Sequence, residues 1–103
     1  MNIPYISAEE VRKNLSMEDA IQCTENVYKL KSQDKTVVWP TIFYEFDPGH
    51  ADMDIKSGYL PEQHIFGHKT VAFMEANVQK GLPDLVGLIA VFSSETGMPL
   101  GLV

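Results

Sequence analysis

The chain has one cysteine, Cys23, in 103 residues. A single thiol cannot close an internal disulfide, and it has no neighbouring ligands for a zinc knuckle. Basic residues are also few: eight Lys and Arg stand against fourteen Asp and Glu, for a net charge of −6. The eight are scattered, with no basic patch, and an acidic surface repels phosphate backbones. Nucleic acid is therefore not an expected partner. No apolar run approaches the ~18 residues that would cross a bilayer, so no membrane partner is expected either. Met1-Asn2-Ile3-Pro4-Tyr5 lacks the basic and apolar regions of a signal peptide. These absences together point to a soluble, cytoplasmic protein.

Catalytic signatures are missing as well. There is no Gly-x-Gly-x-x-Gly, no Walker-type loop and no Gly-x-Ser-x-Gly elbow. His50, His64 and His68 show no metal-ligand spacing, and no metal is assigned. No internal repeat or low-complexity segment is present. What remains is an ordinary globular composition, 45% hydrophobic and 21% charged. The length allows one domain, residues 1–103, with a modest core.

The local pattern changes once along the chain. Ser7-Ala8-Glu9-Glu10 is a capping box and predicts a short helix over about 8–14. Ser16-Met17-Glu18-Asp19 repeats the signal with Asp in the third position and predicts a helix over about 17–32. Met17, Ala20, Ile21, Thr24, Val27 and Tyr28 fall on one face of it. Acidic residues gather at its start and Lys29, Lys31 and Lys35 at its end, as the helix dipole favours.

From Thr36 the periodicity becomes that of strands. Thr36–Phe46 is β-branched and aromatic, interrupted by Pro40. Asp47-Pro48-Gly49-His50 predicts a turn. Strands are expected over Met53–Leu60, Ile65–Met74, Leu85–Phe92 and Pro99–Val103, with Ile3–Ile6 at best an edge strand. The fold class is α+β: N-terminal helices packed on a mostly antiparallel sheet of about five to six strands.

Lys69 is the leading candidate for chemistry. It lies in an apolar strand beside Phe66, Val71 and Phe73. A lysine buried there would be costly unless paired, and would suit carboxylate binding, proton transfer or Schiff-base formation. The other placement sets Lys69 on a wet face with His68 turned inward. Lys56, in the preceding strand, would lie near Lys69 if the two strands pair. Two adjacent cations make an anion site; a single edge-strand lysine instead guards against aggregation. In Asn77-Val78-Gln79-Lys80-Gly81-Leu82-Pro83, Gly81 is expected to take a positive φ and Pro83 to stiffen the exit. Asp84 follows, either as a turn cap or as an acid in a site. Cys23 is expected to be an inert, half-buried thiol.

These segments together resemble the N-terminal substrate and dimerisation domain of the ornithine cyclodeaminase/mu-crystallin family. The resemblance runs through Ile6-Ser7-Ala8-Glu9-Glu10-Val11, Leu15-Ser16-Met17-Glu18-Asp19-Ala20-Ile21 and Gly67-His68-Lys69-Thr70-Val71. It continues in Asn77 with Lys80-Gly81-Leu82-Pro83, and in Glu95-Thr96-Gly97-Met98-Pro99-Leu100. Each piece is weak alone; their order and spacing carry the match.

The resemblance implies a two-domain enzyme that binds NAD(P) on a following Rossmann domain. It implies deamination, cyclising deamination or dehydrogenase and imine-reductase chemistry on a small amino or keto acid. Lys69 matches the family lysine at the substrate carboxylate and reactive centre, and so is the catalytic and substrate-binding candidate. Asp84 matches the region near the nicotinamide. The sheet is expected to pair with that of a second subunit.

The chain departs from the family pattern in three places. The arginine usually found two residues after a proline is missing, since Thr41 and Ile42 follow Pro40; Lys56 is the candidate replacement in substrate binding. Met53-Asp54-Ile55-Lys56 stands where Met-Pro-Ala is usual, and Asp84 stands where a small or hydroxyl residue is common. The family's next motifs, an Asp-Gly turn, a second arginine and the glycine-rich dinucleotide loop, would follow Val103. The expectation is that this chain alone binds no NAD(P) and is inactive alone. The alternative reading is a non-catalytic dimerisation or small-carboxylate-binding module.

Overall fold

A computed structural model describes all residues, 1–103. Both helices form where their capping boxes place them. α1 spans Ala8–Asn14 and α2 spans Met17–Ser32. The Ser7 and Ser16 hydroxyls accept from the backbone N–H of Glu10 and Asp19, whose carboxylates accept from the serine N–H groups in return. Each box satisfies two donors that the first turn leaves open.

Six strands follow: β1 (Val37–Val38), β2 (Ile42–Asp47), β3 (Ala51–Leu60), β4 (Ile65–Met74), β5 (Leu85–Ser93) and β6 (Pro99–Leu102). The strand expected over Thr36–Phe46 is broken in two around Pro40, which cannot donate to a ladder. All pairings between the strands are antiparallel. β3, β4, β5 and β6 lie side by side, and β1 and β2 both pair with β3. The α+β assignment therefore holds.

Three details differ from the sequence reading. The loop after β4 is not an open connection: Glu75–Lys80 winds into a 3₁₀ helix. Gly81 ends it at φ 71°, and the Asn77 side chain donates to the Pro83 carbonyl at 2.9 Å. Next, the last strand, expected over Pro99–Val103 as an unpaired edge that favours association, is not open. Tyr5 bridges Leu102 in parallel, Ile6 N–H donates to the Leu102 carbonyl, and Leu102 N–H donates to the Pro4 carbonyl. The open edge is β2, at the other side of the sheet.

The third difference concerns the core. Ala90, at 6% exposure, is the only buried residue. The helices rest lightly on the sheet. The radius of gyration is 15.8 Å, against about 13 Å for a compact domain of this length. A one-layer sheet closes little core when no second layer presses on it. Ile42, Phe43, Tyr44 and Phe46 of β2, and Leu85, Val86 and Leu88 of β5, stay exposed. Cys23, expected to be half-buried, is exposed too.

Candidate functional site

The turn between β3 and β4 sets the geometry of the site. Leu60 pairs with Ile65 across a 3₁₀ turn, Pro61–Gln63, that ends on His64 in the left-handed region at φ 56°. Counting four residues back from Leu60 and four on from Ile65 brings Lys56 directly opposite Lys69. On the far side Lys69 faces Ile89 of β5. Directly opposed residues point to the same face of a sheet. Lys56, Lys69 and Ile89 therefore form one row across three strands.

Both lysines are exposed. His68 is half-buried on the opposite face, with its ring centroid 6.0 Å from that of Phe92 and Nδ1 buried without a hydrogen bond. The wet-face placement of Lys69 is the one adopted. The cost of burying an ammonium does not arise in this chain. What favours an anion here is instead the pairing of two cations.

That pairing runs against electrostatics. Like charges directly opposite one another on a sheet destabilise it by about 0.2–1 kcal/mol. The chain carries fourteen carboxylates, yet neither lysine has one within 4.0 Å. Carboxylates pair instead with Lys13, Lys29 and Lys35. The nearest acidic neighbour along this face is Asp54, two residues from Lys56, with one carboxylate oxygen buried and unpaired.

Toward the turn, the next pair on the same face is Gly58 opposite Gly67. A Cβ on Gly58 would lie 2.7 Å from the Val37 carbonyl oxygen, and one on Gly67 would lie 2.6 Å from that of Ala90. Backbones approach closely here, and only glycine fits. The result is a floor without side chains beside two lysines. Past it, α2 stands off from the sheet over an apolar groove of about 380 Å³ that Lys56 and Ile89 help to line.

Asp84 is not part of this cluster. It is exposed at the far end of the β4–β5 hairpin, where its carbonyl accepts from Met74 N–H at 2.8 Å. Met74 is five residues beyond Lys69, or about 17 Å along the strand. The structure thus joins Lys56 to Lys69 and leaves Asp84 apart.

A second polar cluster was not legible in the sequence. The Asp47–His50 turn meets the 3₁₀ helix after β4, where His50 Nδ1 contacts the Glu75 carboxylate. Glu75 N–H donates to the His50 carbonyl at 3.0 Å. The hydrogen bond and charge of Glu75, helped by Asp47, raise the His50 pKa above 6.5. These residues are 25 apart in sequence, and no spacing rule links them.

The chain's own residues form no Rossmann-type cradle for a dinucleotide. Pyrophosphate sites of the Rossmann kind need a strand running through a glycine-rich turn into a helix. Here every strand pairing is antiparallel and no α-helix follows a strand. No helix of the chain is long and apolar enough to cross a membrane.

Known proteins resemble this arrangement closely. Alanine dehydrogenase from Archaeoglobus fulgidus is 29% identical over 106 residues, covering 100% of this chain and 31% of that protein. A solved archaeal alanine dehydrogenase dimer with bound NAD superposes with a TM-score of 0.89 at 29% identity, covering 99% of this chain and 31% of its own. Thermococcus litoralis Δ1-pyrroline-2-carboxylate reductase, solved with NADH and L-proline, shares the fold. Its TM-score is 0.89 at 24% identity, covering 97% of this chain and 31% of its own. The chain thus spans about a third of the length of these relatives. The profile of one family covers residues 4–103, nearly the whole sheet and both helices, and on that match the chain belongs to the ornithine cyclodeaminase/mu-crystallin family.

Proposed function

We propose that this chain is the substrate-side portion of an NAD(P)-dependent enzyme that deaminates or dehydrogenates a small amino, imino or keto acid. One observation carries the reading: Lys56 and Lys69 oppose each other across β3 and β4 with no carboxylate to neutralise either. A substrate carboxylate bridging the two ammonium groups relieves their repulsion through charge-assisted hydrogen bonds. Lys56 then serves where the family arginine is missing. Lys69 has a second task, donating a proton to the atom next to the carboxylate as that atom gains charge.

The dinucleotide belongs outside these residues, because they offer it no cradle. Asp84 is assigned a contact at the rim toward such a cofactor. Its separation from the lysine pair means that only an extended ligand reaches both. The sheet is assigned to self-association. The exposed β2 edge supports this, since an unpaired strand recruits another chain.

The test is direct binding to the 103-residue chain. Pyruvate should bind saturably, and replacing either lysine by methionine should weaken it. NADH should show no fluorescence change on addition of the chain. Tight NADH binding contradicts the division of labour. Absence of any carboxylate binding, with self-association retained, favours the dimerisation module instead, a reading that rests on the same apolar sheet.

A further inference from the structure

We infer that the groove beneath α2 selects a substrate with an apolar side chain, such as a branched 2-oxo or 2-amino monocarboxylic acid. The inference rests on the reading of Lys56 and Lys69 as the carboxylate site and extends it to the other end of the ligand. The groove begins at Lys56 and Ile89, the two neighbours of Lys69 in its row. It runs under α2, where Val27 and Lys31, one helical turn apart, face Val38 and Val91. Its volume of about 380 Å³ leaves room well beyond a methyl group.

The charges decide the class of ligand. No Asp or Glu lines the groove. A diamino acid would bring a second ammonium next to Lys31 with nothing to receive it, so ornithine and lysine are disfavoured. The only ionic side chains that line the groove on this face of the sheet are the cations Lys31 and Lys56, and neither has a carboxylate within 4.0 Å. Charge complementarity thus calls for an anion at the Lys56–Lys69 pair. Lys31 is exposed and its ammonium stays hydrated, so it calls for no second carboxylate, and the valine and isoleucine walls call for hydrocarbon behind the first. A carboxylate at the lysines with an apolar tail along the valines meets both demands.

The experiment is an ¹H–¹⁵N NMR titration of the whole 103-residue chain with pyruvate, 2-oxobutanoate and 4-methyl-2-oxopentanoate. Ornithine and 2-oxoglutarate complete the series. The Kd should tighten roughly two- to fourfold per added carbon, the range set by partial to full burial of a methylene. Val27, Ile89 and Val91 amides should shift with the longer acids. In a Val27→Glu variant, the added carboxylate should reverse the preference toward ornithine. The ligand series on the unchanged chain decides the matter even where that variant does not fold.

Equal affinity along the series, with shifts confined to Lys56 and Lys69, overturns the side-chain assignment and leaves the carboxylate site standing. Tighter binding of ornithine or 2-oxoglutarate overturns it as well. Shifts of the groove amides with protein concentration alone show that a second copy covers the groove, which also overturns it. No binding by any acid removes both this inference and the reading beneath it.

Discussion

Replacing Lys56 by methionine separates two effects that pull in opposite directions. The long apolar stem is kept, and only the charge is lost. Lys56 and Lys69 are direct cross-strand partners, and their exposed side chains can splay to roughly 7 Å between ammonium groups. At that distance the repulsion in a water-like dielectric is about 0.6 kcal/mol. The variant should therefore be more stable than the parent by about 0.5 kcal/mol in low salt. The gain should vanish near 1 M salt, where the screening length falls to about 3 Å. Carboxylate binding should move the other way. An ammonium about 4 Å from a carboxylate contributes about 1 kcal/mol in water and up to about 4 kcal/mol near a protein surface. For exposed groups the low end applies, so about 1–2 kcal/mol should be lost, or roughly a five- to thirtyfold weaker Kd. Denaturant melts at two salt concentrations and calorimetric titration with pyruvate measure both. A variant that is less stable in low salt, or that binds pyruvate as the parent does, refutes the reasoning.

Other substitutions probe the rest of the structure. Gly58→Ala sets a Cβ 2.7 Å from the Val37 carbonyl oxygen, so β1 must move. The cost should be about 1–3 kcal/mol by denaturant melt, and an unchanged midpoint would show that β1 is not held against β3. His50 has its pKa raised by Glu75. A group whose folded pKa is raised stabilises the fold below its unfolded value near 6.5 and loses that contribution as pH rises through the folded pKa. The His50–Glu75 contact should therefore hold the Asp47–His50 turn most firmly below pH 6.5. Histidine NMR titration should show Glu75→Gln returning the His50 midpoint downward, and an unmoved midpoint would contradict this. Tyr44→Lys sets a charge on the open, exposed β2 strand. By light scattering it should shift the chain toward monomer, and an unaltered mass would place self-association elsewhere.

Much of the fold was legible because its signals are local. Ser7 with Glu10, and Ser16 with Asp19, set both helix starts. Pro40 announced the break between β1 and β2, and the strands expected over Met53–Leu60 and Ile65–Met74 left only a short turn between them to set Lys56 against Lys69. The site followed from that register, since alternation along two strands joined by a short turn leaves few choices. What was not legible depends on contacts distant in sequence. Ile3–Ile6 is expected at best as an edge strand, and Tyr5 does bridge Leu102, but nothing in Pro4-Tyr5-Ile6 names β6 as the strand it covers. Nothing in His50 points to Glu75. The glycine pair Gly58–Gly67 shows its purpose only when the neighbouring carbonyls are seen. The apolar face of α2 suggested firm packing on the sheet, yet the helix stands off and leaves a groove. Amphipathic spacing tells which side of a helix turns inward, not how closely it settles.

Lys56 and Lys69 are proposed to hold a substrate carboxylate jointly. Side-chain NMR of the lysine Cε and Nζ groups, followed while pyruvate is added, tests it most directly. Lys56 and Lys69 should shift together along one saturable curve, while Lys80, at the far end of the hairpin, stays fixed. Shifts that are equal at all lysines, or absent at this pair, would contradict it.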